Sequence, residues 1–163
     1  MKKKIKLTSR IFLINKKFKT NQFYHFIKAP NAAILVPEIK GKFIVISQKR
    51  EPINKTTYEF PGGQIDKNET PAKSAARELL EETGYKCLST PKSLLDFYPE
   101  PGRISNKNYC FYSRKLLKIK KPEKKIKVNL FSKNELFNLI KSKKFSNASH
   151  IAAFFIYLQT IKN

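Results

Sequence analysis

Basic and apolar residues alternate over the first 28 positions, MKKKIKLTSRIFLINKKFKTNQFYHFIK, with no strong turn signal, a pattern that predicts one or two exposed strands. Two β-branched runs follow, AAILVP at 32–37 and KFIVISQ at 42–48. They flank EIKG and predict a hairpin by composition and spacing. YEFPGG at 58–63 ends a short strand at a Pro-Gly-Gly turn. The period then changes to that of a helix. Thr70 and Pro71 are an N-cap and first-position pair, and Gly84 suits the position past a helix end, so a helix is predicted over 71–83. Ala72, Ala75, Ala76, Leu79 and Leu80 give it an apolar face. Strand-like runs recur at 93–98, 108–117 and 125–131. Ser132 and Glu135 have capping-box spacing and open a helix through about residue 141. Asn147 is placed to cap a last helix with Ala148, Ile151, Ala152, Phe155 and Leu158 on its apolar face.

Strands, a helix, more strands and two closing helices predict an α/β (α+β) fold, a mixed sheet covered by helices. With 163 residues the chain suits one domain, expected over 29–163, preceded by the strand-forming segment 1–28. The strongest linker-like stretch is the lysine-rich loop KIKKPEKK.

Charge changes the picture less than its size suggests. Thirty-four basic residues against twelve acidic ones give a formal net charge of +22, which favours anionic partners such as nucleotides or RNA. Only Arg10, Arg50, Arg77, Arg103 and Arg114 are arginines, however, and arginine forks are what read bases bidentately. Lysine spread along the whole chain reads as compositional bias, so RNA is not the favoured partner, although diffuse positive charge helps draw in a phosphate substrate. Cys87 and Cys110 form no C-x-x-C pair and read as reduced, intracellular thiols. The basic start lacks the apolar core of a signal peptide, and IAAFFIYL is far short of the roughly 18 residues that span a bilayer. A soluble cytoplasmic protein with no membrane partner is expected.

The chemistry concentrates on the helix at 71–83. Glu78, Glu81 and Glu82 project from one side of it, where like charges repel unless a cation intervenes. Hard divalent ions that prefer oxygen donors would turn that repulsion into a binding site. Three glutamates alone fit a solvated acidic face as well. The full spacing decides: Gly63, five residues, Glu69, seven residues, Arg77-Glu78-Leu79, one residue, Glu81-Glu82, one residue, Gly84. This resembles a complete Nudix box, departing only at Tyr85, where the strict pattern has an aliphatic residue.

The resemblance implies a Nudix-type α/β/α sandwich and a hydrolase of nucleoside diphosphates linked to another moiety. It also implies that Glu78 and Glu82 are direct ligands of Mg²⁺, or alternatively Mn²⁺, that Glu81 binds the metal directly or through water, and that the Gly62 carbonyl is a further ligand. Arg77 would orient the glutamates, with Gly63, Glu69 and Gly84 structural. SQKREPINKTTYEFPGGQID resembles the ADP-ribose pyrophosphatase subfamily, placing Arg50 and Glu59 in the substrate pocket. The Pro101-Gly102-x-x-Ser105 pattern resembles that subfamily's substrate loop, which brings in Gly102 and Arg103. A homodimer with the N-terminal strands reaching across is implied as well.

Several relatives carry a glutamate where Asn106 stands, in the loop proposed to assist the catalytic base. Asparagine takes no proton at neutral pH, which leaves Glu81 or Glu123 for that task. His25 and His150 are isolated and read as structural or exposed. The leading expectation is a metal-dependent pyrophosphatase for ADP-ribose or a related nucleoside diphosphate sugar. The alternatives are a Nudix hydrolase of dinucleoside polyphosphates, nucleoside triphosphates or capped RNA, and a non-catalytic nucleotide- or RNA-binding domain of the same fold.

Overall fold

The computed structural model describes residues 2–20, 22–122 and 126–161. Strands β1 (Lys2–Lys6), β2 (Phe12–Lys17) and β3 (Phe23–Lys28) make a separate antiparallel sheet in the order β1-β2-β3. That is three strands where one or two were expected. The turns carry no glycine or proline to announce them. Thr8 Oγ1 accepts from the amides of Arg10 and Ile11 in the first, and the Phe18 amide donates to the Gln22 carbonyl in the second.

The hairpin of β4 (Ala32–Ile39) and β5 (Lys42–Arg50) turns at Lys40 and Gly41, whose φ values of 50° and 73° are those of the type I′ turn that suits strand twist. The two strands stay paired only beside that turn, at Glu38–Phe43 and Ile39–Lys42. Farther on, β5 pairs with β6 (Lys55–Glu59) and β4 pairs with β7 (Gly62–Gln64). The chain crosses the resulting opening at Phe60 and Pro61. A cleft between the two halves of the sheet follows from this divergence.

The remaining strands are β8 (Tyr85–Cys87), β9 (Lys92–Phe97), β10 (Asn108–Ser113), β11 (Leu116–Lys118) and β12 (Lys127–Ser132). The central path runs β12-β5-β4-β10-β9, with β10 parallel to β4 and the other described ladders antiparallel, so the sheet is mixed. The run at 108–117 is two strands rather than one. It breaks at Arg114 and Lys115, and β11 leaves the sheet to pair with β8.

Alternation along β4 and β5 builds a core on each face. Ile34, Val36, Phe43 and Val45 pack with Leu136, Phe154 and Tyr157 of α2 (Lys133–Lys141) and α3 (Ala148–Thr160). Ala33, Leu35 and Ile44 pack with Ala75 and Leu79 of α1 (Pro71–Thr83) on the other. The architecture is therefore a helix/sheet/helix sandwich. The predicted caps form: Thr70 accepts from the Lys73 amide, Ser132 and Glu135 close a capping box, and Asn147 accepts from the Ser149 amide.

Two helix faces differ from expectation. On α1 the buried positions are Ser74, Ala75, Glu78, Leu79, Glu82 and Thr83, so Ala72, Ala76 and Leu80 lie at the margin and two glutamates face inward. On α3 the buried positions are His150, Ala153, Phe154 and Tyr157, while Phe155 is exposed. That helix is apolar almost all round, so periodicity alone leaves its rotation open. The Phe154 ring, edge-on to Phe43 with centroids 5.3 Å apart, belongs to the packing that settles it.

Candidate active site

The α1 carboxylates are held by the loop and strand before them. Gly84, at φ 72°, closes the helix with its amide on the Leu80 carbonyl, and a Cβ there would collide with the Lys120 carbonyl. The Gly62 amide donates to Glu82 Oε2 at 3.1 Å. A Cβ on Gly62 would lie 2.5 Å from the Ala33 carbonyl oxygen, and one on Gly63 would overlap the Glu78 carboxylate. The two glycines thus let β7 lie directly between β4 and the buried Glu78 and Glu82.

Arg77 answers the repulsion among the carboxylates. Its Nε and Nη2 make a fork to Glu69 at 3.0 and 3.1 Å, Nη1 reaches Glu78 at 2.8 Å and Glu81 at 3.3 Å, and Nη2 also donates to the Gln64 carbonyl. The Glu69 hydrogen bonds, reinforced by Glu78, drive the Arg77 pKa upward, and the Arg77 hydrogen bond in turn holds Glu69 below the usual carboxylate range. Glu69 also accepts from the Asp66 amide, tying the loop to the helix.

Across the opening stands a second charged group. Glu59, 1% exposed, receives Arg50 Nε at 3.0 Å and Nη2 at 2.5 Å, and Thr57 Oγ1 donates to it as well. His150 Nδ1 accepts from the Phe60 amide, which places the ring proton on Nε2, 3.5 Å from Glu59. Burial pushes His150 down to about 4, so its ring is neutral at pH 7. Burial opposes the charge on Glu59, but the Arg50 and Thr57 hydrogen bonds outweigh it and hold that carboxyl below its ordinary value.

Arg50, Gly62, Gly63, Asn108, Asn147 and His150 are among the residues that line one cavity of about 220 Å³ in the sheet opening. Arg50 and Asn147 also line an adjoining cavity of about 260 Å³, walled by Pro52, Ile53 and Thr57. A larger cavity of about 690 Å³ lies at Ser89, Lys92, Arg114 and Lys115, and no box residue lines it. Gly102 and Arg103 are not among the lining residues of the sheet cleft. Their carbonyls accept from the Tyr24 hydroxyl and the Ile27 amide, so their turn rests on the N-terminal sheet. Asn106 is one step behind the cleft: it donates to Asn108, which donates to Ser149. Glu123 lies outside the described residues.

Asn108, Asn147, Ser149 and His150 were not anticipated in this cleft. Nothing in their spacing signals it, because β10 and the start of α3 converge there only through the fold. Arg10 was missed as well. It pairs with Asp66 at 2.9 Å and donates to the Ile65 carbonyl, joining the N-terminal sheet to the box loop.

The donor set around Gly62 fits a hard divalent cation. It consists of carboxylate oxygens with a backbone carbonyl beside them, and the glycine cradle leaves the space a Cβ would fill. Among the described residues, no three acidic, histidine or cysteine side chains already converge as a cation cage, since Arg77 bridges Glu78 and Glu81.

Residues 27–154 match the NUDIX domain model. The chain is 37% identical over 91 residues to an ADP-ribose pyrophosphatase of Bacillus subtilis (strain 168), covering 55% of this chain and 49% of that protein, so the match spans about half the length of that relative. It is 31% identical over 136 residues to an RNA pyrophosphohydrolase of a Nitratiruptor species, covering 77% and 84% respectively. Among solved structures, an ADP compounds hydrolase aligns at TM-score 0.80 over 98% of this chain and 92% of that chain, with 17% sequence identity, a likeness of fold.

Proposed function

The chain belongs to the Nudix family, and from that premise we propose that it hydrolyses the pyrophosphate bond of ADP-ribose or a related nucleoside diphosphate sugar, giving a nucleoside monophosphate and a sugar phosphate. The observation that carries this reading is the pairing of buried Glu78 and Glu82 on Gly62 and Gly63 with Arg50 at the same cleft. Divalent metal dependence goes with the family. Mg²⁺ is the ion proposed, with Mn²⁺ the alternative, held by Glu78, Glu81, Glu82 and the Gly62 carbonyl. When bound, the ion supplies charge neutralisation on the pyrophosphate and a more acidic attacking water.

The chain's own residues divide the remaining work. Arg77 keeps Glu78 and Glu81 aimed and limits their mutual repulsion, and the Gly62 amide holds Glu82. Glu81 is more exposed and more loosely held than Glu78, which suits it to take the proton from the attacking water. The water oxygen then bonds to phosphorus as the bridging P–O bond breaks. Arg50, with Nε and Nη2 on Glu59, has Nη1 for a substrate phosphate or ribose. A homodimer and a cytoplasmic setting complete the proposal. The free thiols Cys87 and Cys110 accord with the latter, and sedimentation of the purified protein checks the former.

A second reading, hydrolysis at the 5′ end of RNA, is favoured by the similarity to the RNA pyrophosphohydrolase, which runs through most of both chains. One experiment separates the two. Purified protein is given ADP-ribose, other nucleotide sugars, dinucleoside polyphosphates or 5′-triphosphate RNA with Mg²⁺ or Mn²⁺, and the products are identified. ADP-ribose or a nucleotide sugar is expected to turn over fastest; preference for RNA would replace the first reading by the second.

A further inference from the structure

The cavity of about 690 Å³ takes no part in the proposed hydrolysis, and the sheet sets it apart from the cleft. Strands β4 and β10 run parallel, with Asn108 beside Ala32 and Tyr112 beside Val36. Asn108 and Ala32 line the cleft, whereas Tyr112 lines the larger cavity. At about 3.3 Å per residue, the strand between Asn108 and Tyr112 covers about 13 Å. Helix α3 makes the same traverse: it starts at the cleft with Ser149 and His150 and ends at this cavity with Ile161.

The wall of this cavity is cationic. Lys92 lies opposite Tyr112 in the β9–β10 ladder, Arg114 and Lys115 follow where β10 breaks, and none of the lining residues is acidic. Arg114 is fixed from behind. Its Nε lies 3.3 Å from Glu38 Oε2, the Tyr157 hydroxyl donates to the same oxygen, and the Glu38 side chain is only 13% exposed. This support grips one edge of the guanidinium and leaves its two Nη groups for a ligand. An adjoining cavity of about 360 Å³ shares Arg114 and adds Lys133. The carboxyl end of α3 brings a partial negative charge to one edge, which three cations outweigh. Lysine abundance would scatter ammoniums over any surface, but it does not by itself gather them around a concavity with an anchored arginine.

We propose that this cavity is a second, non-catalytic site for a nucleotide, with Lys92, Arg114 and Lys115 on its phosphates and the Tyr112 ring against its base. Its volume lies within the range of about 300–1,000 Å³ typical of small-molecule sites. Inorganic phosphate would leave most of that volume empty and Tyr112 unused, whereas a nucleotide has both a charged and an aromatic end. The hydroxyls of Ser89 and Thr90, also at the wall, supply neutral hydrogen-bond partners for a ribose. The site stands whichever substrate the cleft hydrolyses.

The test is a fluorescence titration of the full chain with ADP carrying an N-methylanthraniloyl group on its ribose, in EDTA so that metal-dependent turnover is suppressed. Saturable binding is expected, and Arg50→Ala, which removes the cation of the cleft, leaves it in place. Lys92→Ala with Lys115→Ala weakens it about tenfold or more through the loss of charge-assisted contacts. Both lysines are exposed, so the double variant keeps its melting temperature, and its hydrolysis of the cleft's substrate is unchanged. The proposal is overturned by absence of saturable binding, by binding that Arg50→Ala abolishes and the lysine pair leaves intact, or by displacement of the probe by inorganic phosphate at the same concentration as by ADP. A change of sedimentation in the lysine variant overturns it too, since the cavity would then be a contact between subunits. Failure of ADP-ribose hydrolysis with the probe still bound removes the reading of the cleft and leaves this site standing.

Discussion

At the residue level, Glu82 and Gly63 make the sharpest predictions. Glu82→Gln keeps the shape and the acceptor for the Gly62 amide but removes a charge, so turnover should fall by roughly two orders of magnitude or more while the folded circular-dichroism spectrum is retained. Undiminished turnover in that variant would refute the metal role of Glu82. Gly63→Ala drives a methyl into the Glu78 carboxylate; the expected result is weaker Mg²⁺ activation with only a modest stability loss, read from a metal titration of activity. His150 gives a pH prediction. Its folded pKa of about 4 lies below the ordinary 6.5, so the unfolded chain binds more protons in that interval and stability falls as pH drops through it. Between pH 7 and pH 5 the loss should be about 2 kcal/mol by urea unfolding, and His150→Gln should flatten the profile. The box residues were legible because their identities and spacing are local. His150 was not, because what makes it matter is the Phe60 amide and Glu59, both about ninety residues away.

Among the elements, α1 and its termini were readable from capping chemistry, and the same chemistry makes them testable. Gly84 combines a left-handed backbone with close approach of the Lys120 carbonyl, so Gly84→Ala should cost about 2 kcal/mol or more and lower the melting temperature by several degrees. Ser132→Ala removes one half of the α2 capping box and should cost about 1 kcal/mol, with activity unchanged. Helix rotation was less legible. The inward turn of Glu78 and Glu82 runs against hydrophobic patterning, and the Gly62–Gly63 cradle is what accommodates it. For α3, apolar residues on every side left several rotations equally good until the aromatic cluster of Phe43, Phe60 and Phe154 selected one.

For the molecule as a whole, a charge of +22 predicts that KM for an anionic substrate rises with ionic strength while kcat changes little, because the diffuse lysines act on encounter and are screened within about 10 Å at 0.1 M salt. A flat KM between low and moderate salt would show that the charge does not assist substrate arrival. The sequence by itself determined the mixed helix-and-strand class, the bounds of the principal helices and the carboxylate motif with its arginine, since periodicity, caps and motif spacing act over a few residues. Tertiary structure decided the divergence of β4 from β5, the cleft it opens, the joining of Arg50, Glu59 and His150 across it, and the docking of Arg10 on the box loop. Those features depend on which distant strands pair and which faces bury, and they are settled only when the whole chain competes for the same core.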